Sequence, residues 1–284
     1  MSASAALFLA AATGGVDGPA LAAACRGKDG WTDPAPPARV YGNTYDVGTC
    51  GIVALLVTSP KGHILIDGGP AEAAPLVAAN IERLGFRLRD VRYLMNTHEH
   101  HDHAGGLAEL QRRTGATLVA RAPAKKALET GRGEPADPQF TILERYPGAR
   151  VGRVIGDGGR VTLGGLVLTA HATPGHAPGS TSWTWRSCEA GRCVTVTYAD
   201  SISSISSDEY RFAAHPALVA TFRATMAKVA ALPCDLLVTP HPAASHFYER
   251  LARTEPLIDP AGCRRYAERG RQALDARLAK EEKR

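Results

Sequence analysis

The sequence holds no apolar run long enough to cross a membrane as a helix, which takes about 20 residues. The nearest approach is a short stretch over 5–13, and no Lys or Arg precedes it, so the positive n-region of a secretory leader is missing. No basic stripe interleaved with aromatics is present, which argues against a nucleic-acid partner. No two cysteines have the C-x-x-C spacing of a zinc or redox motif. No internal repeat and no linker divides the chain into independent domains.

What is there fits one folded unit. The 284 residues are enough for a large α/β domain with a substantial core. Apolar residues make up 44% and charged residues 21%, an ordinary soluble balance. The net charge of +5 is mild and comes partly from a basic tail over 264–284. It would suit an anionic substrate without selecting one.

The six cysteines are an even set. Cys188 and Cys193 are placed to close a turn. Cys25, Cys50, Cys234 and Cys263 allow three pairings. We favour Cys25 with Cys50 and Cys234 with Cys263, because each closes a loop of a few tens of residues. Bridges of this kind tilt the balance toward export. Ala20-Leu21-Ala22 looks like a small-residue cleavage site. Residues 1–24 are therefore read as a signal peptide or a disordered leader, and 25–284 as a single domain that is periplasmic or secreted.

Runs rich in Val, Ile and Leu mark strands at 39–46, 52–58, 63–66, 91–95 and 116–120. Helical spacing marks 71–84 and 105–113. A turn-rich surface loop is expected over 131–147. A second series of strands covers 150–154, 160–163, 166–172, 180–185, 193–199 and 236–239, with helices over 216–232, 246–253 and 262–280. Each half runs strands, helix, strand. The expected fold class is α/β: two mixed sheets packed together and flanked by helices, a four-layer αββα sandwich.

The strongest chemical signal is Thr97-His98-Glu99-His100-His101-Asp102-His103-Ala104-Gly105-Gly106, after an expected strand and before an expected helix. So many imidazoles and carboxylates are costly to bury without a metal, and both are preferred zinc donors. The helical zincin motif is excluded, because Asp102 stands where its second histidine belongs.

The pattern His-x-His-x-Asp-His resembles the signature of the metallo-β-lactamase superfamily. Asp67-Gly68-Gly69 resembles the turn that supports that family's metal loop. Thr173-Pro174-Gly175-His176-Ala177-Pro178-Gly179-Ser180 and Thr239-Pro240-His241-Pro242 resemble its two later histidine segments. The likeness runs from about 31 to 274. His103 stands where one subclass has arginine, and Ser201 where that subclass has a cysteine ligand; both features are similar to subclass B3.

The resemblance implies two zinc ions, one held by His98, His100 and His176, the other by Asp102, His103 and His241. Asp102 would also be catalytic, orienting the nucleophile. Ser201 and Ser203 would hold the substrate carboxylate. The implied activity is a zinc-dependent β-lactamase that hydrolyses penicillins, cephalosporins and carbapenems through a zinc-bridging hydroxide and confers antibiotic resistance. It would act on its small-molecule β-lactam as a monomer, without stable membrane insertion. The alternative is a lactonase or thioesterase of the same di-zinc superfamily, which uses an aspartate near Asp200 as a bridging ligand. A noncatalytic zinc-storing protein is the reading from a different class, against which Asp102 argues.

Other residues are read more plainly. Glu99 and His101 fill variable positions, facing solvent or supporting the ligands. His171 makes an ordinary hydrogen bond on a strand; His63, His215 and His246 are structural or surface. Trp183 and Trp185 pack. Asp67 orients the metal loop. Trp31 is an anchor that could edge the site. Ser204, Ser206 and Ser207 are loop polarity.

Overall fold

The computed structural model describes residues 17–283, so the apolar stretch 5–13 lies outside the described residues. The chain runs α1 (Gly18–Ala24), β1 (Ala38–Tyr41), β2 (Thr44–Asp46), β3 (Leu55–Ser59), β4 (Gly62–Ile66), α2 (Ala74–Arg83), β5 (Val91–Met95), α3 (His101–Ala104), α4 (Leu107–Thr114), β6 (Thr117–Arg121) and α5 (Ala122–Thr130). It continues with β7 (Val151–Ile155), β8 (Arg160–Leu163), β9 (Leu166–Ala172), β10 (Thr181–Glu189), β11 (Arg192–Tyr198), α6 (Pro216–Ala231), β12 (Leu236–Val238), α7 (Phe247–Leu251) and α8 (Gly262–Glu281).

Two sheets result, in the orders β1-β2-β3-β4-β5-β6-β7 and β12-β11-β10-β9-β8. Alternation along the strands explains the layers. Leu55, Val57, Ile64, Ile66 and Val119 point inward and meet Trp183, Trp185, Val196 and Val238 of the second sheet. Their neighbours Leu56, Leu65 and Leu118 point outward onto Val77 and Ile81 of α2, Leu110 of α4 and Leu128 of α5. On the far side Leu237 meets Phe222 and Met226 of α6 and Tyr266 of α8. A period of two thus buries both faces of each sheet, and the four-layer αββα sandwich follows.

Several details depart from the sequence reading. The single strand expected over 39–46 is a hairpin, because Gly42 takes a φ of +51° at its turn. No element is expected over 122–130, yet α5 forms there and buries Ala124, Ala127 and Leu128. The helix expected over 105–113 is α4, and a further helical turn, α3, precedes it, so Asp102 and His103 sit in α3 rather than in a loop. Residues 18–24, at the end of the stretch read as a leader, form α1: Leu21 is buried and α1 packs on α7, with Gly18 against the Leu251 backbone. Ala20-Leu21-Ala22 therefore lies inside a docked helix.

The cysteines bond as Cys25–Cys50, Cys188–Cys193 and Cys234–Cys263. The first ties the end of α1 to the segment before β3, and the last ties β12's approach to α8.

Candidate metal centre

Parallel pairing gathers the site. β4 and β5 run in register with Ile66 beside Met95, so Asp67 and the loop from Asn96 leave the first sheet together. β11 and β12 pair Tyr198 with Val238, so Asp200 and His241 emerge side by side from the second. His176 lies in the loop between antiparallel β9 and β10.

Asp67 anchors the histidine loop. Its φ of +66° lies in the left-handed region, which aspartate tolerates better than most residues. Its carboxylate accepts from the Thr97 amide at 2.6 Å, the Thr97 hydroxyl at 2.8 Å and the Tyr198 hydroxyl at 3.0 Å. Gly106 is required close by, since a Cβ there would lie 2.3 Å from the Gly68 carbonyl oxygen.

His98, His100 and His176 form one buried group, with ligand-capable atoms within 4.8 Å of one another. Each ring has one nitrogen engaged from behind. His98 Nδ1 is 2.8 Å from Asp200 Oδ1, and His100 Nε2 is 2.8 Å from Asp137 Oδ2. His176 Nδ1 is 3.0 Å from the Ser203 carbonyl and 3.1 Å from its Oγ. The other edge of each ring is left for the centre, and His98 Nε2 is buried with no partner among the described residues. Burial, helped by repulsion from neighbouring imidazoles, holds His98 and His176 well below the usual histidine range. Both are neutral near pH 7, the form that binds a metal.

Asp102, His103 and His241 meet at a second point. Asp102 Oδ2 lies 3.0 Å from His103 Nε2 and 3.4 Å from His241 Nε2, and those two nitrogens are 3.2 Å apart. Zinc–nitrogen bonds of 2.0 Å in a tetrahedron put ligands about 3.3 Å apart. Burial raises the Asp102 carboxyl, but His103 and His241 reverse this and hold it well below the carboxylate range. Burial lowers His103, while Asp102 and Asp67 outweigh it and push the ring up to about 10. The groups adjoin: ligand-capable atoms of His98, Asp102 and His103 also fall within 4.8 Å of one another. The orphaned nitrogen, the converging donors and the imidazole–carboxylate chemistry all fit zinc.

Of the two serines expected to hold a carboxylate, Ser201 Oγ makes no hydrogen bond among the described residues, whereas Ser203 Oγ is shared with His176. Glu99 does not face solvent. It is buried, its Oε1 accepts from the Gly179 amide at 2.7 Å, and burial pushes its carboxyl up to about 7. His171 bonds Thr184 Oγ1 at 2.8 Å, and His63 is buried against Phe86. Trp31 is 42% exposed, with its ring 5.3 Å from that of His101 and 6.2 Å from that of His241, so it does edge the site. Sequence reasoning missed Asp137 and Gln139, whose Nε2 is 3.5 Å from His176 Nε2. Both sit in the segment read as a surface loop. Their only signal was polar residues in a turn-rich stretch, too common to single out.

This sandwich, with donors at the strand ends of both sheets, defines a metal-dependent α/β protein. The family model described as the metallo-beta-lactamase superfamily matches residues 47–192. The chain belongs to that superfamily. A solved metallo-β-lactamase, MIM-1 from Novosphingobium pentaromativorans, is 52% identical, with a TM-score of 0.91 over 93% of this chain and 98% of that one. MEM-A1, a subclass B3 metallo-β-lactamase from a soil metagenome library, is 44% identical, with a TM-score of 0.85 over 89% and 99%. A hydroxyacylglutathione hydrolase of Rhodopseudomonas palustris is 31% identical over 121 residues, 43% of this chain and 38% of that protein. The chain spans less than half the length of the curated relatives it matches. The full-length likeness is thus to subclass B3, and the thioesterase likeness is partial.

Proposed function

We propose that this protein is a zinc-dependent β-lactamase of the subclass B3 kind, opening the β-lactam amide of penicillins, cephalosporins and carbapenems. The observation that carries this reading is the paired donor set, His98, His100 and His176 beside Asp102, His103 and His241, on a chain alike over nearly its whole length to solved B3 enzymes. Each group would hold one zinc ion. Bound zinc supplies a Lewis acid for the amide carbonyl and lowers the pKa of a water to about 7.

The chain's own residues do the rest. Asp200, Asp137 and Ser203 hold the three imidazoles of the first group in one tautomer and orientation. Asp102 stands between His103 and His241 as a carboxylate acceptor that orients a water at the join of the two groups. The Ser201 hydroxyl is uncommitted and donates to the substrate carboxylate, with Ser203 beside it. Trp31 offers an exposed apolar face at the rim.

Asp200 bears on the rival lactonase or thioesterase reading. That reading needs an aspartate between the two groups, but Asp200 lies on the Nδ1 side of His98, the ring edge opposite its free Nε2. The partial likeness to hydroxyacylglutathione hydrolases carries less weight than the full-length one.

Three disulfides favour an oxidising compartment, the periplasm or the exterior, where β-lactam hydrolysis protects a cell from antibiotic. No helix among the described residues is long and apolar enough to cross a membrane. The protein acts as a monomer.

The test is turnover of a chromogenic cephalosporin and a carbapenem, with and without chelator. Chelator-sensitive hydrolysis of both is expected. Rapid lactone or thioester cleavage with neither β-lactam turned over would sink the assignment. Ser201→Ala should raise KM for carboxylate-bearing β-lactams; an unchanged KM removes its role.

A further inference from the structure

The three histidines of the first group come from two different sheets. His98 and His100 follow β5, while His176 precedes β10. Their spacing therefore depends on how the two loops are joined. Three hydrogen bonds cross between them. The Thr181 amide donates to the Thr97 carbonyl at 2.7 Å, and Trp183 Nε1 donates to the Asn96 carbonyl at 2.9 Å. Both accept on backbone and lie on the strand side of the loops. The third is the Gly179 amide donating to Glu99 Oε1 at 2.7 Å, and it alone is made by a side chain on the histidine loop.

Glu99 lies between two of the ligands, and Gly179 is three residues after the third. The contact is enclosed. Glu99 is 4% exposed, and a Cβ on Gly179 would stand 2.5 Å from Glu99 Oε2 and 2.4 Å from Ala124 Cβ. Tyr146 donates its hydroxyl to the Glu99 carbonyl at 2.6 Å and fixes the backbone at the same residue. Glu99 Oε2 has no partner among the described residues. A buried carboxylate oxygen left bare is costly, and the site retains it. The carboxylate is thus buried beside Gly179, where Ala124 of α5 also closes in.

We propose that Glu99 is a positioning residue: by accepting from the Gly179 amide it sets the distance between His176 and the pair His98 and His100, and so the metal affinity of the first group. The proposal rests on the zinc reading above. A residue acting through ligands in this way changes metal affinity by about 10- to 100-fold.

The experiment compares the full chain with Glu99→Met, which fills similar volume but cannot accept, and Glu99→Gln, which can. Zinc affinity is read by competition with a chromophoric chelator. The absorption of the cobalt-substituted protein reads ligand geometry. Glu99→Met should bind the tighter metal at least about 10-fold more weakly, with an altered cobalt spectrum. Its kcat should fall more than its KM rises. Glu99→Gln should restore affinity and spectrum to near the parent's.

Parent-like affinity and spectrum in Glu99→Met would overturn the proposal and leave the zinc reading standing. Equal damage in both variants would overturn it too, because charge and not the hydrogen bond would then matter. A parent chain that binds no zinc would overturn both. If Glu99→Met fails to fold, Glu99→Gln and the parent still decide by the Gly179 amide: a protected, downfield amide proton in both supports the bond, and fast exchange in the parent removes it.

Discussion

The two halves of the metal centre are built differently. In the first, His98, His100 and His176 are all buried, and each ring is held from behind by Asp200, Asp137 or Ser203. In the second, His103 is buried above Asp67, but the His241 side chain is 35% exposed, with Trp31 on its outer side. Second-layer partners fix a tautomer and a direction before any ion arrives, so the first half is preorganised. The second depends on its own three donors and on the loop that carries Trp31. A preorganised site loses less conformational entropy on binding, so the first half should hold its ion more tightly.

The comparison can be broken by removing one ligand from each half. His176→Ala should lose about 1000-fold in kcat/KM, roughly 4 kcal/mol, with zinc lost from both halves of the joined centre. His241→Ala should keep about one zinc per chain after dialysis. Equal zinc content in the two variants would show that the halves are not distinct.

A smaller change sharpens it. The Cys25–Cys50 bridge closes a 25-residue separation that spans Trp31. Replacing both cysteines by serine should cost about 3.5 kcal/mol of stability by loop entropy, read as a fall in denaturation midpoint. Zinc should loosen in the second half alone. The Cys188–Cys193 bridge closes only 5 residues and should cost about 2 kcal/mol.

Asp137→Ala should then weaken zinc in the first half by about 10- to 100-fold while the second keeps its affinity, measured by chelator competition. The smallest effect belongs to Trp31→Ala. It should raise KM about three-fold, with kcat and zinc content nearly constant. A large fall in kcat would place Trp31 in the chemistry and not at its rim.

Much of the fold was legible because it rests on local periodicity. Leu55, Leu56 and Val57 alternate between the central core and the outer layer, as their order requires. The helix α5 was not legible, because Pro123 and two adjacent lysines obscure the buried triplet Ala124, Ala127 and Leu128. The split between α3 and α4 was also hidden. Between them Gly106 comes close to Gly68, a contact across 38 positions of sequence.

The site divides the same way. His98, His100, Asp102 and His103 declare themselves because their density is local and metal chemistry is their plainest use. Their supports do not. Asp137 reaches His100 across 37 residues, Glu99 reaches Gly179 across 80, and His98 reaches Asp200 across 102. By itself, then, the sequence determined the two sheets, a histidine and aspartate cluster able to hold metal, and the family, since periodicity and residue chemistry act at short range. Only the tertiary structure decided which ring nitrogen faces the centre, which half is held rigid, and that Glu99 points inward. Those depend on which strand ends pairing brings together, and long-range pairing leaves no mark on neighbouring residues.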